Sequence, residues 1–180
     1  MKKVLLILLI FGFGFWGCSE NTSLTEPTKI ETQSAFLKLK TGQVSLLKQS
    51  EVTKTIDGER GGIVRINLED EEENYGARGW IYFGHGSFEG SQDITIKTDT
   101  EFAALDFHPE GISLEKPARL TVIFKGIEFD DDSPIDFQYI DEDDNLASVD
   151  YRRLIVYREL GWVIVIDAKL DHFSRYGFTK

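Results

Sequence analysis

The chain has 180 residues, with 20 Lys and Arg against 31 Asp and Glu, a formal charge of −11 and a pI near 4.7. That balance argues against nucleic acid or an anionic bilayer surface as partner and favours cations or basic surfaces. The length leaves room for one ordinary domain and a tail, 41% hydrophobic and 12% aromatic residues suit a β-rich globule, and the single cysteine, Cys18, excludes an internal disulfide framework.

Lys2 and Lys3 precede an apolar run from Val4 to Phe15 that is too short, and too soon followed by polar chain, for an ordinary membrane span; it reads as an export signal. The signal ends in Phe15-Trp16-Gly17-Cys18, which resembles the lipobox of bacterial lipoproteins. The resemblance implies cleavage after Gly17, acylation of Cys18 as the first mature residue, and a hold on the lipid bilayer through several acyl chains. Phe15 and Trp16 depart from the pattern, which usually has Leu three residues before the cysteine and a small residue two before it. The competing readings are an uncleaved anchor and an ordinary signal peptide with a chance cysteine. Ser19 after the cysteine leans, in the lipoprotein pattern, towards the outer membrane.

Residues 18–55 are expected to be the lipidated cysteine and a tether. Ser19 to Ser34 is rich in Ser, Thr, Glu, Asn and Gln and has the composition of a flexible stalk. Phe36 to Leu47 reads as a loose hairpin or short strands, with a short amphipathic helix from Val44 to Val52 as the alternative.

The domain proper is expected over residues 56–180. Asp57 to Gly62 is a glycine-rich turn, and Ile63 to Leu68 alternates as a strand. Glu69 to Gly76, with five acids in eight residues, is expected to be a solvated loop. Trp80 to Phe83 and Asp93 to Lys97 follow, separated by the glycine-broken stretch Gly84 to Gly90. An extended run then ends at Phe107; Pro109 and Gly111 break it, and Pro117 leads into Leu120 to Phe124, a buried strand. That stretch is a corner between two sheets. Beyond it come the acidic turn Asp130 to Pro134, an alternating strand over Ile135 to Ile140, a second acidic turn from Asp141 to Asn145, and the pair Leu154–Tyr157 and Trp162–Ile166 about Gly161. Trp162 to Ile166 is apolar on both faces. It is a covered central strand, or its outer face meets the Phe36 to Leu47 segment, or it forms an exposed patch that is itself an interface. The expected fold is all-β: one antiparallel β-sandwich of about eight or nine strands.

Gly61-Gly62, Phe88 with Gly90, Ile94 to Ile96, Asp106-Phe107 with Pro109 and Gly111, Leu114 with Pro117 and Leu120, and Asp171 to Tyr176 fall in an order that resembles the ZU-type β-sandwich of tight-junction scaffolds, netrin receptors and ankyrins, in a bacterial surface-lipoprotein form. The resemblance implies an interaction or spacer module that acts by contact. Gly84 to Ser87 stands where family members often have a Pro-Pro-Gly-Ala turn, which leaves that loop freer to move.

Asp141, Asp143 and Asn145 have the i, i+2, i+4 spacing of the first ligands in an EF-hand loop, but Leu146 replaces the required glycine and Arg152 the closing acid, so a soluble hairpin turn competes with a calcium site. His172 and Ser174 share a strand face near Asp171, yet no nucleophile on a sharp turn and no oxyanion hole accompany them; satisfying backbone groups is the alternative role. His85, His108 and His172 are too scattered for zinc. Trp80, Tyr82, Phe83 and Trp162 form either a sugar platform or part of the core. The expectation is a non-enzymatic envelope module without a cofactor that contacts an envelope or extracellular protein or glycan. A calcium-dependent carbohydrate-binding or adhesive module is the alternative.

Overall fold

The computed structural model describes residues 35–40, 50–70, 74–141, 143 and 145–180. The export signal, Cys18, the stalk, and Val44 to Gln49 of the proposed helix therefore lie outside the described residues.

Two antiparallel sheets face one another and do not close into a barrel, the β-sandwich that the alternation predicts. One has six strands in the order β1 (Glu51–Asp57), β4 (Ser91–Thr98), β5 (Ala104–His108), β11 (Arg175–Thr179), β7 (Asp136–Ile140) and β8 (Leu146–Ser148). The other has five, in the order β2 (Gly62–Asp70), β3 (Tyr75–Phe83), β6 (Ser113–Lys125), β10 (Trp162–His172) and β9 (Arg153–Tyr157). The strands exceed the expected eight or nine because β1 starts before Ile56 and because β8 is a three-residue edge too short to leave a periodic signal. Val52 lies in β1, paired with Ile96, and not in a helix.

Period-two burial builds the interior. Val64, Ile66 and Leu68 of β2, and Ala118, Leu120, Val122 and Phe124 of β6, are fully or almost fully buried. Aromatic rings weld the sheets edge to face. Phe124 of β6 meets Phe178 of β11 at 6.0 Å between centroids, and Phe83 of β3 meets Phe173 at 6.0 Å. In β10 the register shifts between Val165 and Ala168, a bulge that keeps Val165, Ala168 and Leu170 all pointing inward. Asp167 takes φ 61° there; its amide donates to Thr121 Oγ1 at 3.1 Å and its carboxylate accepts from Arg119 at 3.0 Å.

The corner lies where the sequence places it. β5 belongs to the six-stranded sheet and β6 to the five-stranded one, and between them come a cis His108–Pro109 bond and Gly111 at φ 76°. The Gly84–Gly90 loop, expected to be loose, is tied down instead: Gly86 and Ser87 amides donate to Gly58 O, and Lys116 Nζ donates to His85 O.

Residues 35–40 are part of the fold. Leu37 and Leu39 are buried in the main core, the Leu37 amide donates to Phe178 O at 2.7 Å, and the Lys40 amide donates to Gly126 O at 2.9 Å. Phe36 crosses to the outer face of the six-stranded sheet and lies over Gly177, where a Cβ would sit 2.7 Å from its Cδ1. Of the Phe36 to Leu47 segment expected in the tether, residues 36–40 thus join the fold, and Thr41 to Leu47 lie outside the described residues.

Candidate functional site

The outer faces of the two sheets differ. On the six-stranded sheet the outward residues near β1 pair across strands, with Thr53 against Thr95, Thr55 donating to Asp93, and Lys97 against Glu51. Phe36 packs with Ala104, Ile140, Phe102 and Leu146 over another part of it. On the five-stranded sheet the outward positions mix apolar and aromatic side chains with basic ones, and among the described residues nothing covers them.

Alternation dictates that face. Because Val64 and Ile66 point inward, Ile63, Arg65 and Asn67 point out; because Ile81 and Phe83 point inward, Trp80 and Tyr82 point out. Ile63 is 43% exposed, Trp80 49%, Tyr82 47% and Tyr157 47%, values unlike those of core aromatics. The half-buried Ile123 and Ile164, register partners on β6 and β10, lie between them. An open groove of about 840 Å³ runs over this surface, lined by Ile63, Arg65, Trp80, Thr121, Ile123 and Ile164 among others. Beside Trp80, Gly79 lets β3 and β6 approach closely: a Cβ there would stand 2.1 Å from Thr121 O, so any side chain would force the two strands apart.

Basic side chains gather on this face. Arg65, Arg78, Arg119, Lys125 and Arg153 lie on it, and the carboxylates of Glu69 and Asp167 beside them are both engaged. Glu69, with a side chain only 1% exposed, accepts from Arg78 at 3.0 Å and pairs with Lys125 at 2.8 Å, while Asp167 holds Arg119. Lys125 Nζ also sits 5.5 Å from the Trp162 ring centroid. Arg65 and Arg153 engage no carboxylate among the described residues. A basic, aromatic surface on an acidic chain is what the sum of charges conceals.

The other candidate residues occupy structural positions. Asp141 Oδ1 accepts the backbone amides of Asp143 at 2.9 Å and Asn145 at 2.8 Å, closing the β7–β8 turn. Its oxygen faces the chain's own N–H groups. The Asp130–Asp132 acids cannot complete a calcium site with them, because the two loops lie at opposite ends of β7, a five-residue strand of about 16 Å. Asp130 and Asp131 pair with Lys180, and Asp132 with Arg158; a hydrogen bond from the Ser133 amide holds the Asp131 carboxyl below its usual range. Among the described residues no group of three or more His, Cys, Asp or Glu is placed to hold a metal ion.

His172 and Ser174 do not meet. Ser174 Oγ donates to Ile140 O at 2.6 Å, and the His172 ring stands edge-on to Tyr139 at 4.6 Å between centroids, while His172 O accepts from Tyr176 Oη at 2.9 Å. Burial raises the Tyr176 hydroxyl's pKa, which keeps that donor protonated. Of the four aromatics considered as a sugar platform, Trp80 and Tyr82 are exposed, Phe83 is core and Trp162 is half-buried. Sequence reasoning missed Arg65 and Arg153, although the alternation that exposes Trp80 places Arg65 opposite it.

Comparison with protein-family models, curated proteins and solved structures finds no match to this chain. Among the described residues no helix is long and apolar enough to cross a membrane.

Proposed function

We propose that this chain is a non-enzymatic envelope lipoprotein, anchored through acylated Cys18, whose sandwich is a contact module. The outer face of the five-stranded sheet is its docking surface. One observation carries the reading: Ile63, Trp80, Tyr82 and Tyr157 remain exposed on one face of a domain whose core is already complete. The lipobox-like end of the signal supports the anchor, and the two-sheet architecture is compatible with the ZU-type module that the corner and turn motifs resemble. Catalysis draws no support from His172 and Ser174, since each is committed to neighbouring groups.

The test is co-sedimentation of the full chain, with Cys18→Ser to remove the anchor, on lipid-extracted envelope fragments. Tyr82→Glu with Ile63→Glu is expected to abolish retention while leaving the thermal midpoint nearly unchanged, because both side chains are exposed. Equal retention of this variant overturns the reading. In the anchor test, a radiolabelled fatty acid is expected to enter the native chain and not the Cys18→Ser chain.

A further inference from the structure

We infer that the docking face takes an acidic polysaccharide, a glycan bearing uronate carboxylates, laid across the strands. The inference rests on the docking role proposed above and adds the chemistry of the occupant.

The geometry is a row across the sheet. Arg65 on β2 is register partner to Trp80 on β3, Trp80 to Thr121 on β6, and on the far side of the β10 bulge Ile166 is partner to Arg153 on β9. Strands about 4.8 Å apart put the two arginines roughly 19 Å from each other. Between them lie an exposed indole and the half-buried isoleucines. A groove of about 840 Å³ falls within the range of ligand clefts, about 300–1,000 Å³.

Each feature answers to sugar chemistry. The face of a pyranose ring presents C–H groups that carry partial positive charge and meet the negative π-face of an indole or phenol. A guanidinium matches a carboxylate with two parallel N–H donors. Hydroxyls on the far side of the sugar stay in water, because the groove is open.

Other occupants fit less well. A peptide laid on this face would gain no backbone ladder, because the backbone groups of β3, β6 and β10 are already taken by strands on both sides; peptides add to sheet edges instead. A second copy docked by a two-fold axis would set the same arginine-bearing face against itself. Nucleic acid carries a charge about every 1.7 Å and would meet the field of a chain at −11. A uronate polymer has sparser charge, and beyond about 8 Å the chain's remaining acids are screened at physiological salt.

The experiment is calorimetric titration of the full chain with polygalacturonate, alginate and hyaluronate, with methyl-esterified polygalacturonate and polyglutamate as controls. At least one uronate polymer is expected to bind, with esterification, Trp80→Ala or Arg65→Gln each weakening it tenfold or more. Arg65→Gln should also flatten the salt dependence. Trp80 and Arg65 are exposed, so both variants are expected to fold, and a thermal melt checks this. Binding of polyglutamate as tight as that of the uronates, or no binding of any uronate polymer, overturns the inference. Envelope retention that persists and still depends on Tyr82 and Ile63 in that second case leaves the docking role standing with a different occupant; loss of both removes the docking role too.

Discussion

Arg65 and Trp80 are register partners on β2 and β3, and both side chains face solvent on the same side of the sheet. A cross-strand pair of this kind contributes only about 0.2–1 kcal/mol to a sheet. Trp80→Ala is therefore expected to lower unfolding stability by about 1 kcal/mol or less in urea titration. A loss of several kcal/mol would mean that Trp80 is a structural residue covered by something outside the described chain.

Neighbouring apolar positions on adjacent strands should respond very differently to truncation. Phe124 is fully buried and packs on Phe178, so Phe124→Ala is expected to cost about 3–5 kcal/mol. Ile164 belongs to the outer face and is half-buried, so Ile164→Ala is expected to cost roughly 1 kcal/mol. Urea midpoints of the two variants check the assignment of faces on β6 and β10. Equal costs would mean that the outer face is packed as tightly as the core.

Alternation made most of the sandwich legible, because Val64, Ile66 and Leu68 or Leu120, Val122 and Phe124 at every second position have only one way to be buried together. The corner at Pro109 and Gly111 was legible for a similar local reason. β1 was not, because Glu51-Val52-Thr53-Lys54-Thr55 buries none of these side chains fully and is held largely by its ladder to β4. Leu37 and Leu39 stood out as apolar, but their place in the core was not legible, since their backbone partners, Phe178 and Glu101, are remote in sequence. The candidate face was half legible. Trp162 to Ile166 announced a two-sided apolar strand, but which side stayed open depends on where Phe36 goes.

Asp106 should set part of the acid response. It lies opposite Arg175 across β5 and β11, 3.9 Å from that guanidinium, while Arg175 makes its closer ion pair with Asp99. Burial raises the Asp106 carboxyl's pKa, with Asp99 and Glu110 adding to the shift and Arg175 and His108 opposing it. A carboxyl whose pKa is higher folded than unfolded binds more protons in the folded state, so its ionisation destabilises the fold and acidification relieves the cost. Asp106→Asn is therefore expected to melt above the native chain near pH 7, with the difference shrinking towards about pH 4 as the native carboxyl protonates. Thermal midpoints of both proteins across that range check the sign. A variant that melts lower at neutral pH would show that the contact with Arg175 outweighs desolvation.

The Asp141 turn separates a structural carboxylate from a metal ligand. Because Oδ1 accepts two backbone amides, Asp141→Ala should remove both hydrogen bonds, hand the amides to water and cost about 0.5–2 kcal/mol, whereas Asp141→Asn retains an oxygen acceptor and should be close to neutral. A turn that satisfies itself gains nothing from a cation, so both values are expected to be the same in EDTA and in millimolar calcium. A ligand that binds only the folded state stabilises it by RT ln(1 + [L]/Kd), so even a weak site would raise the melting midpoint of the native chain. A calcium-dependent rise that disappears in Asp141→Asn and in Asp143→Asn would reinstate the metal site and require Asp141 to release the Asp143 and Asn145 amides when it binds.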